Sequence, residues 1–122
     1  MAVVLIVDDN PGARWVLSDL VTRESHTVLE AGDGREALEV YRARRPDLVL
    51  MDLFMPEHDG FEAIRALRTE FPDSRIIAVS ADWMVGDTNG LRVARKLGAD
   101  VTIRKPFNVA VVCAAIAQLL AA

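Results

Sequence analysis

Four apolar runs in this chain each lead into a residue type suited to phosphate and metal chemistry. Val3-Val4-Leu5-Ile6-Val7 leads into Asp8-Asp9, and Leu48-Val49-Leu50-Met51 into Asp52. Ile76-Ile77-Ala78-Val79 leads into Ser80, and Val101-Thr102-Ile103-Arg104 into Lys105-Pro106. In an open parallel sheet, ligands gather beyond the carboxyl ends of the strands. If these runs are neighbouring parallel strands, Asp8, Asp9, Asp52, Ser80 and Lys105 meet at one place. Clustered carboxylates repel unless a cation is present, and an all-oxygen donor set suits Mg²⁺, which keeps several waters and takes one or two protein carboxylates. Setting the three aspartates against Lys105 leaves a formal charge of -2, which a divalent ion would neutralise. An aspartate can also accept a phosphoryl group as an acyl phosphate. Lys105 and the Ser80 hydroxyl would then hold phosphoryl oxygens. Taken singly, each residue has a plainer reading: Asp and Ser cap helices or form turns, and a lysine before proline carries little information.

The elements needed to position these groups are legible as alternating strand and helix patterns, which argue for an α/β fold with a parallel sheet. Val3 to Val7 reads as a strand covered on both faces. Asn10-Pro11 opens a helix with a capping side chain and a proline at the first turn, and Val16, Leu17, Leu20 and Val21 form its apolar stripe. Thr27 to Ala31 is a more polar strand, expected near an edge. Ala37, Leu38 and Tyr41 mark the second helix, which Pro46 stops ahead of a strand over Asp47 to Met51. The loop Met55-Pro56-Glu57-His58-Asp59-Gly60 precedes a helix carrying Phe61, Ile64, Leu67 and Phe71. A strand over Arg75 to Val79, a connection from Ala81 to Gly90, and a helix with Ala94 and Leu97 inward follow. Gly98 terminates that helix, Val101 to Arg104 is the fifth strand, and the last helix starts near Asn108.

Composition narrows the class. The chain has 122 residues, 52% hydrophobic and 26% charged, enough for one domain with a single core and unlike a disordered chain. A net charge of -4 argues against direct contact with nucleic acid or an anionic membrane. No segment reaches the roughly 18–20 apolar residues of a membrane span, and nothing in the sequence resembles a secretory signal, so a cytoplasmic location is expected. The single cysteine, Cys113, reads as a small buried hydrophobe in a reducing compartment. The tail from Asn108 to Ala122 carries no charged residue over 15 positions. Val112, Ala115, Ile116 and Leu119 are expected to face the sheet, and Val109, Val111 and Ala114 to face outward.

Taken together, Asp8-Asp9, Asp52 through Gly60, Ser80-Ala81, Gly98-Ala99-Asp100 and Lys105-Pro106-Phe107 make the chain resemble a receiver domain of bacterial two-component response regulators over its full length. The resemblance implies a flavodoxin-like, doubly wound (βα)5 fold with a five-stranded parallel sheet in the order 2-1-3-4-5. Residues 1–122 would form one receiver domain with no output domain. It implies Asp52 as phosphoacceptor and Mg²⁺ (or Mn²⁺) held by Asp9, Asp52 and the Phe54 backbone carbonyl, with Asp8 contacting the metal through water. Ser80 and Lys105 would bind the phosphoryl group, and Lys105-Pro106 would be a cis peptide. The donor would be a phosphohistidine on a sensor histidine kinase or histidine phosphotransfer protein. The domain would act as a switch rather than an enzyme, its hydrolysis being self-catalysed. Ser80 would bias the face made by the fourth helix, fifth strand and fifth helix toward a downstream protein target or a homodimer.

Three features depart from the family pattern. Receivers carry an aromatic residue three positions before the lysine, and here that residue is Thr102. The Ser80 to Gly98 stretch is about three residues longer than in compact members, and holds Asp82, Trp83, Met84 and Val85, with Trp83 and Met84 as an interface candidate. Phe54 and Asp82 flank the mouth of the site, where they are expected to modulate the lifetime of the acyl phosphate. Val109 and Val111 on the uncharged last helix form a second interface candidate. Two other classes fit less well. A haloacid dehalogenase-type phosphatase needs a second Asp two residues after the first, where Phe54 stands. A flavodoxin-like or nucleotide-binding protein needs a Gly-rich loop, and Asp9-Asn10-Pro11-Gly12 is too acidic to cradle phosphate without a metal. Met1-Ala2 directly before the first strand favours a stand-alone regulator over a receiver excised from a hybrid kinase or longer regulator.

Overall fold

The computed structural model describes residues 2–53, 55, 59–81, 84–85 and 88–121. Five parallel strands form the main sheet: β1 (Val3–Val7), β2 (Thr27–Ala31), β3 (Leu48–Asp52), β4 (Ile76–Ala81) and β7 (Val101–Lys105). A short antiparallel pair, β5 (Met84–Val85) and β6 (Thr88–Asn89), lies apart from it. The helices are α1 (Pro11–Arg23), α2 (Gly34–Arg44), α3 (Asp59–Glu70), α4 (Gly90–Leu97) and α5 (Val109–Ala121). The main sheet runs β2-β1-β3-β4-β7, which in its own count is the expected order 2-1-3-4-5. β2, expected near an edge, is one of the two edge strands.

Strand residues alternate between two apolar layers. Leu5, Val7, Val49, Met51, Ile76 and Ala78 pack with α2, α3 and α4. Val4, Ile6, Leu48, Leu50, Ile77, Val79 and Ile103 pack with Leu17, Leu20 and Val21 of α1 and Val112, Ala115 and Ile116 of α5. Covering both faces explains why β1 and β3 read as unbroken apolar runs.

Local chemistry sets the ends of the elements. The Asn10 side chain accepts from Gly12 N and Ala13 N, capping α1, and Asp33 Oδ1 accepts from Glu36 N at α2. Arg45, just after α2, takes a left-handed backbone with φ 46° ahead of Pro46. Gly98 ends α4 with φ +129°, a conformation that favours glycine. There Arg68 ties three elements together. Its guanidinium donates to the Gly98 carbonyl, to the Pro72 carbonyl and, at 2.6 Å, to Asp100 Oδ2. The same Asp100 oxygen accepts from Ile76 N at 2.8 Å.

Three expectations need correction. Val16 is 53% exposed: the buried stripe of α1 is centred on Leu17, Leu20 and Val21, and Val16 lies about a quarter-turn round the helix. The β5–β6 pair was not foreseen, because two-residue strands leave no periodicity to read. Three of the main strands, β3, β4 and β7, also run one or two residues further than expected, ending on Asp52, Ala81 and Lys105. The last helix meets its expectation, with Val112, Ala115 and Ile116 buried and Val109 and Val111 at 60% and 46% exposure, although Cys113, expected to be buried, is left half-buried.

Candidate functional site

Asp8 follows directly after β1 and is 1% exposed. Its N–H donates to Ala31 O at 3.1 Å, and its carbonyl accepts from Arg14 Nη1 at 2.8 Å. Oδ1 accepts from Asn10 N at 2.9 Å, whereas Oδ2 is buried with no hydrogen-bond partner among the described residues. A buried acceptor without a donor costs about 1–3 kcal/mol, and more when charged. Such an atom calls for a partner that the described residues do not supply. Asp9 is exposed, while Asp52, the last residue of β3, is only 6% exposed. One carboxylate oxygen from each of Asp8, Asp9 and Asp52 lies within 4.8 Å of the others. An all-oxygen trio that includes a residue with an orphaned buried oxygen fits a hard divalent cation.

The sheet register places the other groups. Asp52 lies opposite Val79, so Ser80 stands one residue beyond that rung. Ser80 in turn lies opposite Arg104, and Ala81 opposite Lys105. Lys105 Nζ is 3.7 Å from Asp52 Oδ1, and the Ser80 side chain is fully buried. The Lys105-Pro106 peptide is cis, as expected. Asp8, Asp9, Asp52, Ser80 and Lys105 therefore gather at the carboxyl edge of the sheet. Thr102 does not join them. It pairs with Ala78, two rungs before the Ser80–Arg104 pair, and is half-buried. Phe54, Asp82 and Trp83 lie outside the described residues, as does the side chain of Met84.

Two residues of this corner escaped the sequence reading. Arg14 bridges the Asp8 carbonyl and Glu30 Oε1, with Nε 2.9 Å from the latter. Gly60, in the first turn of α3, packs against the backbone of Asp52. A Cβ there would sit 2.5 Å from Asp52 O and 2.9 Å from Leu53 Cα. The glycine was visible as the end of a turn, but its contact with Asp52 depends on tertiary packing. Arg14 could have been found as a basic residue in the first turn of the helix that follows the Asp8-Asp9 pair.

The model of the response regulator receiver domain matches residues 4–117. The chain belongs to the response regulator receiver domain family. Chemotaxis protein CheY of Thermotoga maritima is 42% identical over 106 residues, covering 86% of each chain. The structure of Vibrio cholerae chemotaxis protein CheY4 superposes with a TM-score of 0.86 at 28% identity, covering 98% of each chain. CheY in a CheX-CheY-BeF3-Mg+2 complex from Borrelia burgdorferi gives a TM-score of 0.85 at 28% identity, covering 97% of this chain and 88% of that one. As a receiver domain, this protein is a phosphoryl-accepting signalling switch of two-component systems. No described helix is long and apolar enough to cross a membrane.

Proposed function

We propose that Asp52 accepts a phosphoryl group from a phosphohistidine of a sensor histidine kinase or histidine phosphotransfer protein. An Asp52 carboxylate oxygen forms the new bond to phosphorus. The P–N bond of the donor breaks, and its electron pair returns to the imidazole. Asp8, Asp9 and Asp52, with the Phe54 carbonyl, would hold Mg²⁺ or Mn²⁺, which when bound offsets the negative charge gathered at the phosphoryl oxygens. Lys105 supplies a cation beside Asp52 and pairs with a phosphoryl oxygen, and the Ser80 hydroxyl donates to another. The observation that carries this reading is the carboxylate trio beside Lys105, with one buried oxygen of Asp8 lacking a donor among the described residues.

The added charge of about -1.5 to -2 would draw Ser80 and the segment after it toward Asp52, shifting the α4, β7 and α5 face between two states. Output then passes to a downstream protein, or to a second copy of the chain through α5, where exposed Val109 and Val111 favour contact. Thr102 leaves Ser80 as the side chain that reports phosphorylation. The domain is a switch, not an enzyme with a separate substrate, and it acts in the cytoplasm without binding nucleic acid or membrane.

Phosphotransfer from a panel of purified kinases to wild type and Asp52→Ala tests the reading. Label is expected on wild type only, and label retained by the variant would move the acceptor elsewhere. Dimerisation is checked by sedimentation with and without beryllofluoride; a monomer in both states removes the homodimer.

A further inference from the structure

Arg14 borders the acidic corner but takes no part in the chemistry above. Its side chain leaves the first turn of α1 and reaches back across the β1–α1 loop. Nη1 donates to the Asp8 carbonyl at 2.8 Å, and Nε donates to Glu30 Oε1 of β2 at 2.9 Å. A Cβ on Gly32 would lie 3.5 Å from Nη1, so the guanidinium is wedged between the ends of β1 and β2. Its side chain is 23% exposed, against 49% for Glu30. With this contact in place, the backbone N–H and carbonyl of Asp8 and one of its carboxylate oxygens are all committed. Oδ2 has no partner among the described residues.

We infer that Arg14 is a positioning residue for the divalent cation, fixing the Asp8 main chain so that the carboxylate trio is assembled before the ion arrives. This rests on the proposed reading of Asp8, Asp9 and Asp52 as the cation site. Groups that orient metal ligands without touching the metal contribute substantially to affinity. The fork of a guanidinium suits the task, because it can bond a carbonyl and a carboxylate at fixed spacing, whereas an ammonium is a point charge. The charge of Arg14 works in the opposite direction. A cation beside the trio repels a divalent ion, so removing it for charge alone would tighten binding. Position and charge therefore predict opposite signs.

The test is Mn²⁺ binding followed by electron paramagnetic resonance, with Mg²⁺ as competitor, on wild type, Arg14→Lys, Arg14→Met and Asp8→Asn. Thermal melts confirm that each variant is folded. Arg14→Lys keeps the charge and loses the fork, and it remains informative if Arg14→Met fails to fold. Both are expected to weaken Mn²⁺ by about tenfold. The loss of phosphorylation rate in Arg14→Lys should shrink as Mg²⁺ is raised, a split that a general loss of structure would not produce. Wild-type affinity in Arg14→Lys, or tighter binding in Arg14→Met, would overturn the inference. Wild-type affinity in Asp8→Asn would instead overturn the cation reading on which it rests.

Discussion

Replacing Gly60 with alanine probes how closely the start of α3 is fitted to the phosphoacceptor strand. The new Cβ would meet Asp52 O at 2.5 Å and Leu53 Cα at 2.9 Å, where ordinary contact begins at 3.4 Å. Both atoms are main chain, so no side chain can swing away. Either α3 lifts or the Asp52 peptide moves, by something approaching 1 Å. Overpacking of this kind costs about 1–3 kcal/mol, and the rigid neighbours put Gly60→Ala toward the upper end. For a domain of this size that lowers Tm by about 10 °C. A reacting group displaced by about 1 Å loses rate by up to roughly a hundredfold. Phosphorylation by acetyl phosphate at saturating Mg²⁺, read by phosphate-affinity electrophoresis, should therefore slow by between ten- and a hundredfold. Gly12→Ala serves as the control, since among the described residues its Cβ would meet only the Asn10 side chain, at 3.2 Å; it should change stability by less than about 1 kcal/mol. Wild-type Tm together with wild-type rate in Gly60→Ala would refute the reasoning.

Three further outcomes are expected. Asp100→Ala leaves both the buried Ile76 N–H and the Arg68 guanidinium without this carboxylate, and should cost about 2 kcal/mol in urea denaturation; Asp100→Asn, which can still accept from Ile76, should cost less. The Cys113 thiol is pushed up to about 11, first by burial and then by its hydrogen bond to, and the charge of, Glu24. Its folded pKa thus lies above the unfolded one, and the native state holds its proton longer, so stability is unaffected below the ordinary thiol value of about 8.5 and falls as pH rises from there toward 11. Alkylation at pH 8 should accordingly be about a hundredfold slower in the native protein than after unfolding, and equal rates would contradict the assignment. Phe54→Asn should change the lifetime of the acyl phosphate several-fold, measured as loss of label after donor removal; an unchanged lifetime would remove Phe54 from the modulating set.

The sequence was most informative where one residue type carries both a strand end and its chemistry. Asp8, Asp52, Ser80 and Lys105 each follow or close an apolar run, so the runs set them at strand ends, and the strand order implied by the family resemblance brought those ends to one edge of the sheet. Contacts made across the fold were not legible. Arg14 finds Asp8 and Glu30 only once β1 and β2 pair, and Gly60 touches Asp52 only once α3 is seated. Val16 was misjudged because an apolar residue at the border of a helical stripe satisfies the pattern whether or not the neighbouring helix covers it. The β5–β6 pair is too short for alternation to be counted.

The most direct measurement of the central claim is the location of the phosphoryl group after Mg²⁺-dependent transfer from a phosphohistidine donor, mapped by borohydride reduction and peptide mass spectrometry. The account predicts modification at Asp52 alone, abolished in Asp52→Asn and when the divalent cation is chelated. Modification at another residue in wild type, or transfer that survives chelation, would contradict it.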